Sequence, residues 1–277
     1  MYPHSHTTVQ KSRKSDERLR TSMVLCVLAV AALLVGREAF AQSSHPDRTR
    51  YSIGAALLVD KDGYRGVGAE SLLVPGLAIQ NKWVNLFGPQ LDLRLLGNQS
   101  RTWWIGPRIE YRFDGYEQSD SAVFSGMSDR KGGLFYGLSG SFELGADLEV
   151  EVDFVKAARR DAGFDLGAVG SIQLSRSFGS GAWTLVPRIG LEYQSSRYVD
   201  YYYGVRPSEA TAVRAAYSGK GTYSPELGLL VRWRATPQQF LFANLNYERY
   251  AKVIRNSPLI SSSGIPQVVL GYQYVFN

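Results

Sequence analysis

From Tyr51 onward one pattern dominates the chain: apolar and polar residues alternate with period two, in segment after segment. Leu91, Leu93 and Leu95 alternate with Asp92 and Arg94; Ile109, Tyr111 and Phe113 with Glu110 and Arg112; Val150, Val152 and Phe154 with Glu149, Glu151 and Asp153; Leu229, Val231 and Trp233 with Leu230, Arg232 and Arg234. Leu241, Ala243, Leu245 and Tyr247 oppose Asn244, Asn246 and Glu248, and Val268, Leu270, Tyr272, Tyr274 and Phe276 form a last apolar row. Successive side chains of a strand point to opposite faces, so each segment has one greasy face and one polar face. Length then separates two architectures. Strands of soluble sandwiches run to about six residues, whereas Thr102 to Phe113, Phe164 to Phe178 and Ala182 to Ser196 keep their strand character for longer. Roughly ten residues, tilted near 45°, cross a bilayer. Trp83, Trp103, Trp104, Trp183 and Trp233 fall near strand ends or on apolar rows, where membrane barrels place interfacial girdles; in a soluble sandwich they would be core residues.

The expected fold class is therefore all-β: a transmembrane antiparallel up-and-down β-barrel of about 10 or 12 strands. Eleven candidate strands can be marked, at about 51–59, 73–80, 82–96, 101–113, 132–143, 147–157, 164–178, 182–196, 222–235, 238–249 and 265–276. A bacterial single-chain barrel normally has an even number, so one segment is merged, missed or outside the wall. The zone from Ser71 to Leu96 is the weakest, because Gln80-Asn81-Lys82 and Phe87-Gly88-Pro89 both have turn composition. With a periplasmic C-terminus, 114–131, 157–163, 197–221 and 250–264 become outer loops, and Gly145-Ala146, Gly179-Ser180-Gly181 and Ala235-Thr236-Pro237 become tight periplasmic turns.

Before the barrel, Lys11, Arg13, Lys14, Arg18 and Arg20 lead into the apolar run Met23 to Val35, followed by Ala39-Phe40-Ala41. A run of about 13 residues is too short to span comfortably as a helix, and small residues at 39 and 41 form the pattern that signal peptidase cuts. We expect a cleaved signal peptide at 1–41, a periplasmic tail at 42–50 and a barrel at 51–277, located in the outer membrane of a Gram-negative bacterium. An uncleaved anchor is the alternative; a lipoprotein would need a cysteine at the end of the apolar run, and Cys26 sits near its start. Removal of the leader takes the formal charge from +6 to about +3 and supports no nucleic-acid partner. It also removes Cys26, and with it disulfide and thiol chemistry.

Catalysis is not expected. The three histidines are His4 and His6 in the leader and His45 in the tail, so the wall lacks the usual base of a barrel hydrolase. Gly137-Leu138-Ser139-Gly140-Ser141 lacks the closing glycine of a nucleophile elbow, and Ser261-Ser262-Ser263-Gly264 is a loop. Glu149, Glu151 and Asp153 share one strand face, an arrangement open to a metal edge but also ordinary for a polar lumen balanced by Arg94, Arg112, Arg232 and Arg234. No cofactor or metal is expected, and inward Arg and Glu side chains predict a narrow or plugged barrel. The long loop is rich in residues that give large contact area at low entropy cost: Tyr201, Tyr202, Tyr203, Arg206, Arg214 and Tyr217 are candidate surface contacts, for lipopolysaccharide phosphates, a host surface or a protein. Alternatively these tyrosines continue an aromatic belt into a folded loop.

Four motifs, in order, carry a family resemblance. Met127-Ser128-Asp129-Arg130, Tyr201-Tyr202-Tyr203-Gly204-Val205 with Ser208-Glu209-Ala210 and Tyr217, Ser224-Pro225-Glu226-Leu227, and Asn256-Ser257-Pro258-Leu259 resemble segments of the MipA/OmpV family of outer-membrane proteins, with Asn256 in place of the family's acid. The terminal row Tyr272, Tyr274 and Phe276 resembles the signal read by the barrel-assembly machinery, although Asn277 follows the last aromatic residue. The resemblance implies a non-catalytic scaffold that joins a lytic transglycosylase to a penicillin-binding protein; outer-membrane lipid and lipopolysaccharide and the barrel-assembly machinery are the other expected partners. A small solute channel, or an adhesion or envelope-stress protein acting through its outer loops, are the other functions considered.

Overall fold

The computed structural model describes residues 48–276 apart from 62, 101, 159, 162 and 163; the expected leader, most of the tail and Asn277 lie outside the described residues. Twelve wall strands follow one another around a closed antiparallel barrel. They are β1 (Arg50–Lys61), β2 (Ala69–Gln80), β3 (Val84–Phe87), β4 (Gln90–Leu93, resuming at Leu96–Gly97), β5 (Trp103–Arg112), β6 (Gly133–Gly145), β7 (Leu148–Ala157), β8 (Ala168–Arg176, resuming at Phe178–Ser180), β9 (Trp183–Gln194), β10 (Thr222–Arg234), β11 (Gln239–Arg249) and β12 (Gly264–Phe276). Each pairs with the next, and β12 closes on β1 in a ten-residue register running from Tyr51 opposite Phe276 to Asp60 opposite Gln267.

Twelve is reached because the single candidate strand at 82–96 is a hairpin: β3 and β4 fold back at Gly88-Pro89, with Gly88 at φ 54°. Four residues on each side are too few for alternation to reveal two strands. A second correction concerns 164–178, whose first residues belong to a separate two-stranded ribbon, Arg160–Asp161 with Phe164–Asp165, outside the sheet of the wall. The turn between β6 and β7 is carried by Ala146 and Asp147, both at positive φ, the conformation that matches strand twist in a two-residue hairpin.

The wall is apolar outward and polar inward. Leu73, Leu77, Ile109, Leu138, Phe154, Ile189, Leu227 and Tyr272 are exposed, whereas Asn85, Asp92, Arg108, Ser139, Arg188, Arg232 and Asn244 are buried. Trp83, Trp103, Trp183 and Trp233 are exposed around the end at which the turns are short, with the rings of Trp183 and Trp233 stacked at 6.0 Å. Trp104 departs from the expected girdle: it is buried, and the guanidinium of Arg94 lies 5.3 Å from its ring. At the other end the long loops carry a helix α1 (Ser196–Tyr203) and a short turn of helix α2 (Lys252–Arg255).

Candidate functional site: a capped and cross-linked lumen

The lumen is organised around Arg108, which the row Ile109, Tyr111, Phe113 placed just out of view. Its Nε donates to Asp92 Oδ1 at 2.8 Å, its Nη2 to Glu151 Oε1 at 2.8 Å and its Nη1 to Asp153 Oδ1 at 3.0 Å. Asp92, 0% exposed, also accepts from Ser139 Oγ at 2.7 Å, Gln90 Nε2 at 2.9 Å and Asn85 Nδ2 at 3.3 Å. One guanidinium, with its fork of five donors, thus ties β4, β5 and β7 together, and Asp92 extends the network to β3 and β6. Glu149 accepts from Ser141. The Glu149, Glu151, Asp153 row therefore serves the mixed-charge lumen, with Arg108 as a countercharge that the expected set of Arg94, Arg112, Arg232 and Arg234 did not include. Ser139 and Ser141 are hydrogen-bonded parts of the same interior.

Nearer the loops, Arg112 forms a second tier. It reaches Asp114 at 3.1 Å, Glu192 at 3.4 Å and Glu110 at 3.5 Å, and its guanidinium lies 5.5 Å from the ring of Tyr198. Gln194 Nε2 donates to Glu192 at 2.9 Å, and Arg188 donates to Asn246 at 3.0 Å and to Asn244. Polar side chains from β5, β9 and β11 thereby cross the interior just beneath the loops.

Above this tier sits an apolar core that the alternation does not announce. Tyr64, Tyr116, Phe124, Met127, Tyr198, Val199, Tyr201, Tyr202, Tyr203, Tyr250, Ile254 and Leu259 form one buried cluster, drawn from four loops and joined by Phe135, Val155 and Val169 of the wall. Tyr116 stacks on Phe124 at 3.9 Å, and Tyr64 meets both rings at 5.2 and 5.4 Å. Ser195 caps α1 by accepting from the Tyr198 N–H, and α1 buries Tyr198, Val199 and Tyr201 to Tyr203. Gly167, at φ 82°, lets the loop after the ribbon pass so close to α1 that a Cβ there would meet the Tyr198 nitrogen at 2.4 Å.

The candidate contacts of the long loop are thus inside the cap. Tyr201, Tyr202 and Tyr203 are 5%, 1% and 6% exposed; Arg214 is buried and Tyr217 half-buried. The expectation of a tyrosine-rich contact surface is corrected: a loop lying over a barrel mouth can bury aromatics only by turning them inward against the other loops. Arg130, from the Asp129-Arg130 motif, donates to Glu209 Oε2 at 2.8 Å, to the Tyr201 carbonyl at 2.8 Å and to the Ser128 carbonyl at 2.6 Å. Arg206 donates its backbone N–H to Glu209 at 3.1 Å, and Arg214 donates to the Glu209 and Ser125 carbonyls at 3.1 Å each. Ser257 Oγ donates to the Tyr203 carbonyl at 2.6 Å, and Tyr217 donates to the Val253 carbonyl. Three of the four motifs therefore meet in one place. Burial raises Tyr198, Tyr202 and Tyr203 well above ordinary tyrosine, and Tyr116 is pushed up to about 12. Burial would raise Glu209 too, but hydrogen bonds from Arg130, Ser128 and Arg206 hold it below the usual glutamate value.

Tyr272 and Phe276 lie exposed on the lipid-facing side of β12, and Tyr274 packs edge-on against Phe276 at 5.1 Å. Among the described residues no group of three or more His, Cys, Asp or Glu side chains has the arrangement of a metal site.

Residues 53–276 match the family described as MltA-interacting protein MipA. Outer membrane protein OmpV of Vibrio cholerae is 28% identical over 86% of this chain and 94% of its own length. Outer membrane protein Omp26La of Vibrio anguillarum is 29% identical over 62% of this chain and 66% of its own length, and an MltA-interacting protein of Escherichia coli is 26% identical over 35% and 40%. Among solved structures, a bacterial polysaccharide outer membrane secretin (TM-score 0.42, 9% identity, 85% of this chain and 100% of that one) and the NanC porin (0.39, 11%, 82% and 99%) are similarities too slight to bear on function.

Proposed function

The chain belongs to the MipA family of outer-membrane β-barrel proteins, and from that membership and the closed geometry above we propose that it is a non-catalytic scaffold, holding a murein-degrading lytic transglycosylase near a murein-synthesising penicillin-binding protein. The observation that carries the proposal is closure. A lumen crossed by Arg108 and Arg112 and covered by a packed aromatic cap offers no wide path to a solute, so the work falls to the protein's surfaces. With the C-terminus on the periplasmic side, the end that carries the short turns, the exposed Trp83 and Trp183 and the tail before Arg50 faces the murein layer. The name of the Escherichia coli relative supports a hydrolase as the first partner. In the same orientation the Tyr272, Tyr274, Phe276 row is the segment offered to the barrel-assembly machinery.

The test is a pull-down from detergent-solubilised envelopes after mild cross-linking, with the tagged mature barrel as bait and an unrelated barrel of similar size as control. Specific recovery of a lytic transglycosylase or penicillin-binding protein is the expected result; recovery of assembly factors alone overturns the scaffold. A second reading, contact through the outer loops, has one observation in its favour: Val213, at the tip of the long loop, is 96% exposed. Replacing the exposed Thr211, Ala212 and Val213 by Gly-Ser-Gly while keeping the buried Arg214 and tyrosines abolishes surface attachment if that reading holds.

A further inference from the structure

The barrel wall has a window. The β3–β4 hairpin pairs with β2 only over Ala78 to Gln80 and turns back at Gly88, whose N–H donates to the Leu77 carbonyl. From Ala69 to Gly76, β2 therefore pairs with β1 on one side and, among the described residues, with no strand on the other. Beyond the hairpin tip, β2 and β5 are not paired with one another among the described residues. Antiparallel pairing alternates along a strand, so the residues that share Leu77's bonding direction are Pro75, Leu73 and Ser71. Pro75 has no N–H to offer, as befits an open edge; Ser71 and Leu73 present both groups. The window is roofed by the loops, where Ser121 Oγ donates to the Arg65 carbonyl at 2.7 Å.

Behind the window the lumen changes character. Ala56, Leu58, Val74 and Val269 form an apolar patch with Leu72 and Phe242 packed against it, in contrast to the ionic network across β3 to β7. A cavity opens here, lined by the inward-facing Ala56, Val74 and Phe242, by Gly54 and Gly76, by Gly88 at the hairpin tip, and on the outer side by Ile53, Leu77 and Tyr272. Ser52 and Gln273, its polar lining, satisfy one another, with Gln273 Nε2 donating to Ser52 Oγ at 2.8 Å.

We propose that this cavity binds an acyl chain of a bilayer lipid, admitted sideways through the window, with the lipid's ester or hydroxyl groups on the free edge at Ser71 and Leu73. Three features select that occupant. The cap blocks the loop end, so the lipid phase is the adjoining reservoir. The cavity asks nothing polar of its ligand. An unpaired strand edge facing hydrocarbon is costly unless something polar bonds to it, and a lipid brings both parts in one molecule. The inference is independent of the scaffold role.

The experiment reconstitutes the mature barrel in nanodiscs containing a phospholipid with a diazirine near the end of its acyl chain, irradiates, and maps adducts by mass spectrometry. Adducts on Ala56, Val74 and Phe242 are expected; adducts confined to the outward-facing Leu73, Ile189 and Leu227, which do not line the cavity, overturn the proposal, because they report ordinary surrounding lipid. A Cβ at Gly76 would meet nothing within 4 Å, so Gly76→Phe fills the cavity without backbone strain. It should abolish the inner-face adducts and spare the outer ones; unchanged inner-face labelling also sinks the idea. If that variant fails to fold, the wild-type map still decides.

Discussion

The wall and the cap are opposite solutions to burial in one chain. In the wall, Leu227, Ile189 and Leu138 face outward and Asp92, Arg108 and Asn244 face inward; in the cap, Phe124, Tyr202 and Ile254 are interior, as in a water-soluble domain. Each region puts its apolar surface against the most apolar medium available, which is lipid for the wall and the other loops for the cap. The lesson is that their stabilities rest on different forces. The wall interior is held by charge-assisted hydrogen bonds around Arg108, the cap by aromatic packing together with the buried ion pair of Arg130 and Glu209.

The comparison breaks first at Arg108. Arg108→Met leaves Asp92, Glu151 and Asp153 without their shared cation, and removing one partner of a buried pair costs about 3–5 kcal/mol. The folded band in a heat-modifiability gel should convert at markedly lower temperature. An unchanged conversion temperature would mean that water screens the network and that the wall is held by its backbone ladder alone. Phe124→Ala tests the other region. Truncating a fully buried aromatic costs about 3 kcal/mol, yet here the loss should stay local: cleavage by proteinase K within 113–132 and 195–221 rises, while the heat conversion of the barrel stays in place. A matching fall in barrel stability would show that cap and wall unfold as one unit.

Alternation made the wall legible in the sequence because every long strand has lipid on one side and lumen on the other, so period two is enforced residue by residue. It failed at 82–96, where a hairpin with four residues in each arm is too short to show a period, and where the turn Phe87-Gly88-Pro89 was visible but had no strand of normal length beside it. The lumen was read in kind but not in detail: acidic Glu149, Glu151 and Asp153 were visible as a row, whereas their cation lies on β5, forty-three residues from Glu151. The cap was least legible. α1 has eight residues, and the partners that bury Tyr198 and Tyr201 to Tyr203 come from other loops and from the wall, so nothing local distinguishes an inward tyrosine from a contact tyrosine. The motifs did mark the right residues. Asp129-Arg130, Ser208-Glu209-Ala210 and Asn256-Ser257-Pro258-Leu259 sit far apart in the chain because they are pieces of one core.

The finest distinction between the regions is the response of the cap to acid. Glu209 is held below the ordinary glutamate value by Arg130 and by the N–H groups of Ser128 and Arg206, against the opposing effect of burial. Because its folded value lies below its unfolded one, near 4.5, the stability it contributes is fully present above about pH 4.5 and is lost as pH falls through the folded value. Protonation would also leave Arg130, one of the most buried cations of the cap, without a charged partner. Pepsin digestion from pH 5 downward should therefore show the loops at 113–132 and 195–221 becoming cleavable before the barrel loses its heat resistance. Glu209→Gln keeps the shape and removes the titration, so its loops should be more cleavable at pH 5 and change less on further acidification. If wild type and Glu209→Gln follow the same pH course, the acid response belongs to other carboxylates and the Arg130–Glu209 pair is not what latches the cap.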